Sequence, residues 1–240
     1  MEEGKGRLVR RAIFMLEVLS LLWGLGAMPA RAQSTPHSEP GAAREDSKAL
    51  PVDGVAARIE DDVILESEVN ELAAFQKLVD EQAKPRDELI RELADQWIVR
   101  GEANTTKYPP PPASEVESSY AEFVKQFGSP QEFQKRCADA GITEAAVRRV
   151  LEQQLYLARF LDYRFRAAAQ VDDKEVEKYY NDEFAPQLKA RAEAVPALEE
   201  VEDTIREVLI QRAITERSTK WLDDTRERLK IDIVPQGSGS

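Results

Sequence analysis

Between Val55 and Val69 the chain reads VAARIEDDVILESEV. Val55, Ala57 and Ile59 alternate with Ala56, Arg58 and Glu60, a period of two that predicts a strand. Asp61-Asp62 supplies a two-residue turn, weaker than Asn-Gly or Asp-Gly, and Val63 to Leu65 returns as a second strand. From there the period changes. Ser67 is placed to cap a helix whose apolar stripe is Val69, Leu72, Phe75 and Val79. Lys84-Pro85 breaks it, and Leu89, Ile90, Leu93 and Trp97 mark a second helix. Tyr108 then leads into Pro109 to Pro112, a stiff extended connector that no helix crosses.

Helix starts after the prolines are well marked. Ser114-x-x-Glu117, Ser129-x-x-Glu132 and Asp172-x-x-Glu175 have the spacing of capping boxes. Pro130 suits a first helical position, and Gly128 and Gly141 act as stops. Thr143 opens a long helix to about Ala168, and another runs from about Ala197 to Leu229 with Val201, Ile205, Val208, Leu209 and Leu222 along it. Pro186 and Pro196 bracket a looser segment between them. Beyond the last helix, Ile231 to Val234 alternates again. A lone two-stranded ribbon is marginal in water, and this is the only other strand-like run. The predicted fold is therefore mainly α, with a small antiparallel sheet formed by the N-terminal hairpin and the C-terminal strand.

Residues 1–32 carry a basic start (Lys5, Arg7, Arg10, Arg11), the apolar run VLSLLWGLGAM and Ala30-Arg31-Ala32. That pattern reads as a cleavable signal peptide, with a retained N-terminal inner-membrane anchor as the alternative. Residues 33–50 read as a disordered leader. Residues 51–234 form one domain: hairpin and helices over 51–184, a linker over 185–196, and a closing helix and strand over 197–234. Residues 235–240 are a flexible tail. The formal net charge of −12 argues against a nucleic-acid groove. The chain has one cysteine, Cys137, and one histidine, His37. An internal disulfide is impossible, and burial suits Cys137. Imidazole-based nucleophilic catalysis and a His/Cys zinc site lack their residues. No P-loop or Gly-x-Gly-x-x-Gly is present, so neither nucleotide nor other cofactor is expected. The acidic pairs Asp172-Asp173, Glu199-Glu200 and Asp223-Asp224 read as helix starts and solvated faces.

A signal peptide followed by Val52-Asp53-Gly54-Val55-Ala56-Ala57 and VILESEV resembles the start of the SurA, PpiD and PrsA group of extracytoplasmic chaperones. ELIRELADQWIV, PPASEVESSYAEF and the helix from Thr143 are similar to the rest of that group's chaperone domain. VDDKEVEKYYNDEF resembles the segment leading out of it, and WLDDTRERLKIDIV its closing helix and strand. The resemblance covers most of residues 52–234. It implies an ATP-independent holdase in the periplasm that binds unfolded or nascent envelope proteins. In the isomerase members a parvulin domain of about a hundred residues follows the segment matching Asn181 to Phe184. Here only APQLKARAEAVP precedes the last helix. That site also uses paired histidines. Prolyl isomerase activity is therefore not expected, and the protein is read as a non-enzyme. A dedicated envelope assembly module is the third alternative.

The long helix from Thr143 is apolar on two sides. Val147, Leu151, Ala158, Leu161 and Phe165 share one, and Tyr156, Phe160 and Tyr163 share the other. The second side is either covered within the chain, most simply by the C-terminal helix, or it is the wall of a client cradle. Tyr156, Phe160 and Tyr163, with Phe123, Phe127 and Phe133 on the same wall, are the candidate client-binding residues, since aromatics with polar tips tolerate both water and apolar segments. The sequence assigns no catalytic or metal-ligating residue, and it leaves the oligomeric state open.

Overall fold

The computed structural model describes residues 53–235, so the signal peptide, the leader and nearly all of the tail lie outside the described residues. The described chain is mainly helical with one three-stranded antiparallel sheet. Strand β1 (Val55–Ile59) is central, with β2 (Asp62–Leu65) on one side and β3 (Ile231–Ile233) on the other. The partners along β1–β3 are Ala57 with Ile233, Arg58 with Asp232, and Ile59 with Ile231. The hairpin's expected completion by the chain's far end is therefore present. The turn, however, is Glu60-Asp61, one residue earlier than the sequence suggests, because Asp62 pairs with Ile59 as the first residue of β2. Glu60 takes the left-handed backbone at φ 49.

Helix α1 (Glu66–Asp80) follows β2 directly. Ser67 does not cap it. The cap comes from ahead of the hairpin, where the Asp53 carboxylate accepts the Ser67 N–H at 3.1 Å and also the Ser67 hydroxyl. Glu68 adds a second bond by accepting the Leu65 N–H at 2.8 Å. Helix α2 (Arg86–Thr105) packs against α1 and the sheet. Val69 and Leu72 of α1 and Leu89 and Ile90 of α2 bury the inner face of the sheet with Ala57, Ile59 and Ile64. Each fully buried large apolar side chain there contributes roughly 1.5–3 kcal/mol.

Helices α3 (Ala113–Lys125) and α4 (Pro130–Ala140) follow the proline connector. Pro112 stands at the start of α3, so Ser114 is already inside the helix and caps nothing. The next two starts match their sequence signals. Ser129 accepts the Glu132 N–H, and Thr143 accepts the Ala146 N–H, both at 3.1 Å. Gly141, at φ 75, occupies the left-handed position that ends α4, where a side chain would be strained.

Helix α5 (Glu144–Phe165) ends in a 3-10 turn over Arg166–Ala168. The reciprocal bonds of Asp172 and Glu175, 2.9 Å each way, start α6 (Asp173–Tyr179). A π-helical turn over Tyr180–Phe184 and the short helix α7 (Ala185–Ala190) lead to α8 (Leu198–Arg226). The first part of α8 packs on α6, and its later part returns along α5 and α2 to deliver β3. Two more apolar clusters complete the core. One joins Phe75 and Leu78 to Phe123, Phe133, Cys137, Val147 and Leu151. The other joins Ile98 and Val99 to Leu157, Phe160 and Leu222.

Candidate functional site

The six aromatic residues singled out from the sequence fall into two separate groups. Phe123 and Phe127 on and just after α3 meet Phe133 of α4, with ring centroids 5.2–6.1 Å apart. Phe75 of α1 stacks on Phe123 from below at 5.7 Å. The second group gathers around Tyr108. Its ring lies 5.9 Å from Tyr156, 5.5 Å from Phe160 and 5.2 Å from Tyr163. No ring contact joins the two groups among the described residues, so they do not build one continuous wall.

Burial divides them again. Phe133 and Phe160 are 1% exposed and Phe123 is 4% exposed. These three are interior packing and present almost no surface to a client. Phe127 and Tyr156 are half-buried. Tyr163 alone is largely in solvent, at 65% exposure. The second side of α5 is thus mostly covered within the chain, but its principal ring-stacking cover is Tyr108, not the C-terminal helix. Tyr108 sits in the last turn before the prolines. Its hydroxyl donates to the Arg159 carbonyl at 3.2 Å, and the Tyr156 hydroxyl donates back to the Tyr108 carbonyl at 3.3 Å. The helix α8 also packs on α5, through Trp221 on Phe165 at 5.9 Å, Arg164 over the Trp221 ring at 4.8 Å, and Leu222 in the buried cluster that holds Phe160.

One concavity lies at the end of the first group. A cleft of about 320 Å³ opens between the C-terminal end of α1 and helices α3 and α4. Val79, Phe123 and Phe127 supply its apolar surface, and Gln126, Glu132 and Arg136 its polar rim. Arg136 is held across the rim by Glu81 at 3.0 Å. Glu81 occupies the left-handed C-cap of α1, at φ 61, so the end of the helix positions the rim charge. Val79 and Phe127 thus form a small apolar patch inside a mainly polar rim. Sequence periodicity put Val79 on the α1 stripe and Phe127 on the helix after the prolines, which in fact ends at Lys125, and only the packing of α1 against α3 and α4 makes them neighbours.

The titratable groups near this region are not arranged for acid–base chemistry. Burial, with a hydrogen bond to Glu144 at 2.9 Å, pushes the Tyr120 hydroxyl up to about 12. Burial likewise raises the Cys137 thiol, which keeps it protonated and inert. Among the described residues no group of carboxylates, cysteines or histidines could hold a metal ion. Much of the acidic-pair chemistry is structural. Asp172 caps α6, Glu200 accepts the Ala197 N–H at 3.1 Å, and Asp223 pairs with Arg226 at 2.5 Å. No helix among the described residues is long and apolar enough to cross a membrane. No family model matches the chain, and no curated protein matches it.

Proposed function

We propose that the protein is an ATP-independent holdase of the cell envelope, binding unfolded segments of other proteins. The observation that carries this reading is the cleft in which the half-buried Val79 and Phe127 meet solvent inside a polar rim of Gln126, Glu132 and Arg136, with the buried Phe123 packed behind them. Such a site takes single apolar side chains from many sequences. Binding the unfolded state in preference to the folded one competes with aggregation. The net charge of −12 adds solubility to the complex. The function is binding, with no bond made or broken.

The test is light scattering of an unfolded outer-membrane protein diluted from denaturant, with and without this protein at near-stoichiometric ratio. Suppressed scattering is expected, and Val79→Lys, which fills the cleft with a charge, reduces the suppression. Unchanged scattering at several-fold excess would overturn the reading. If instead one dominant protein co-purifies from cell envelopes, the protein is a dedicated assembly module.

A further inference from the structure

Of Asn70, Asn104 and Asn181, only Asn104 has a threonine or serine two residues after it. The local run is Glu102-Ala103-Asn104-Thr105-Thr106, and the prolines start only at Pro109. Asparagine, any residue but proline, then threonine is the acceptor pattern for an N-linked glycan on an exported chain. So short a pattern is common by chance, and its surroundings matter. Asn104 lies in the last turn of α2 and is exposed, as are Thr105, Thr106 and Lys107. Its carboxamide has no hydrogen-bond partner among the described residues. Gly101, three residues earlier on the same helix face, is also exposed, and a side chain built there would meet nothing within 4 Å. The surface around Asn104 is therefore open enough to carry a bulky hydrophilic group without displacing a packed side chain.

The folded site carries a glycan well but accepts one poorly. A transferase must engage the carboxamide and the threonine hydroxyl together, and residues two apart on a helix point about 200° apart. The Thr106 hydroxyl is also spent, donating to the Glu102 and Ala103 carbonyls at 3.1 and 3.0 Å. Glu102, a carboxylate that a transferase's cation would pair with, is held by Arg164 at 2.6 Å. Lys107 takes the left-handed backbone at φ 54, and the Tyr108 N–H donates to the Ala103 carbonyl at 2.9 Å, which fixes the exit from the helix. None of these contacts exists in an extended chain. Arg164 lies 62 residues after Glu102, so a chain crossing a membrane N-terminus first presents Asn104 before the partner of Glu102 has followed.

We propose that Asn104 is a site of N-linked glycosylation, modified on the unfolded chain during export and then carried on the open end of α2. The donor is an oligosaccharide on a polyprenyl diphosphate, and a separate membrane transferase catalyses the step. The Asn104 carboxamide nitrogen attacks the anomeric carbon of the first sugar. A carbon–nitrogen bond forms, and the bond from that carbon to the diphosphate oxygen breaks. The lipid diphosphate leaves with the electron pair, and the nitrogen gives one proton to a base of the transferase. Nothing is oxidised or reduced. The proposal rests on the envelope location and not on client binding.

The full chain is produced in the organism that encodes it and recovered separately from the cell envelope and the cytoplasm. Arg100 and Lys107 flank the site, so trypsin releases it on the peptide of residues 101–107. In the envelope protein that peptide is expected to be heavier by whole sugar residues. Asn104→Gln and Thr106→Val lose the added mass, and Thr106→Ser, which keeps the hydroxyl, retains it. Asn104→Gln changes only an exposed side chain, and an unchanged thermal midpoint confirms that it folds. A synthetic peptide of residues 100–110 and the folded, unmodified chain are then offered to membranes of the same organism with the lipid-linked oligosaccharide. The peptide is expected to accept sugar faster, and equal rates would overturn modification before folding. An unmodified 101–107 peptide in the envelope protein overturns the proposal and leaves the envelope reading standing. Unmodified protein confined to the cytoplasm overturns both.

Discussion

Asp95 of α2 and Arg226 at the end of α8 meet carboxylate to guanidinium at 2.7 Å. Arg226 also holds Asp223 at 2.5 Å, so one cation joins the second helix to the turn that delivers β3. Burial raises the Asp95 carboxyl to about 6, because Arg226 only partly offsets the loss of water and Asp223 and Glu92 add repulsion. The ion pair thus locates the end of α8 at an electrostatic cost.

That cost has a direction. A carboxyl with a raised folded-state value binds its proton more tightly in the folded than in the unfolded chain. Its contribution to stability is present at low pH and is lost as pH rises through about 6. Asp95→Asn removes the cost while Asp223 still accepts from Arg226. Between pH 5 and 7.5 the variant should gain about 1 kcal/mol relative to the parent, read from urea midpoints at the two values. A variant equally affected at both would show that Arg226 fully compensates the buried charge.

The two aromatic positions of α5 should respond differently to truncation. Phe160→Ala empties a site in the core and should cost about 3–5 kcal/mol. Tyr163→Ala, three residues along the same helix, removes a side chain 65% in solvent and should cost well under that. Thermal melts of the two variants make the comparison.

Ala57 and Ile233 face each other directly in a non-hydrogen-bonded pair, whose Cα separation suits a disulfide. The double variant Ala57→Cys, Ile233→Cys should oxidise spontaneously, leaving Cys137 buried and free. It should stabilise the protein by about 2–4 kcal/mol relative to its reduced form. Loss of β3 by ending the chain at Leu229 should destabilise it, as denaturant midpoints will report.

Asp53→Ala removes the carboxylate that accepts from Ser67 at the start of α1. A cost of about 1 kcal/mol is expected, typical of a lost helix cap. Ser67→Ala should cost less, because the Ser67 backbone N–H keeps its partner.

The sequence was most legible where structure is local. Ser129, Thr143 and the Asp172–Glu175 pair announce their helices because each bond spans three residues. The pairing of the hairpin with Ile231–Ile233 was also legible, although it is distant, because strand-like alternation occurs nowhere else. Signals that depend on competition were misread. Ser67 has the right spacing to cap, but Asp53 reaches the same helix end from the other side of the hairpin. Ser114 loses to Pro112, whose fixed φ starts the helix earlier. The cover of α5 was illegible in kind. Tyr108 precedes four prolines and lies in no apolar stripe, and only the folding back of the connector sets it against Tyr156, Phe160 and Tyr163.

Glu60 and Lys230, bonded at the end of the sheet, are 170 residues apart. During synthesis the hairpin is complete roughly ten to thirty seconds before its third strand exists. Throughout that interval the ribbon is an unfinished sheet, and the helices that will bury it are still being added. A chain synthesised only as far as Leu229 contains every helix of the described residues yet lacks the strand that closes the sheet. The sheet is therefore closed by the last element to leave the ribosome among the described residues.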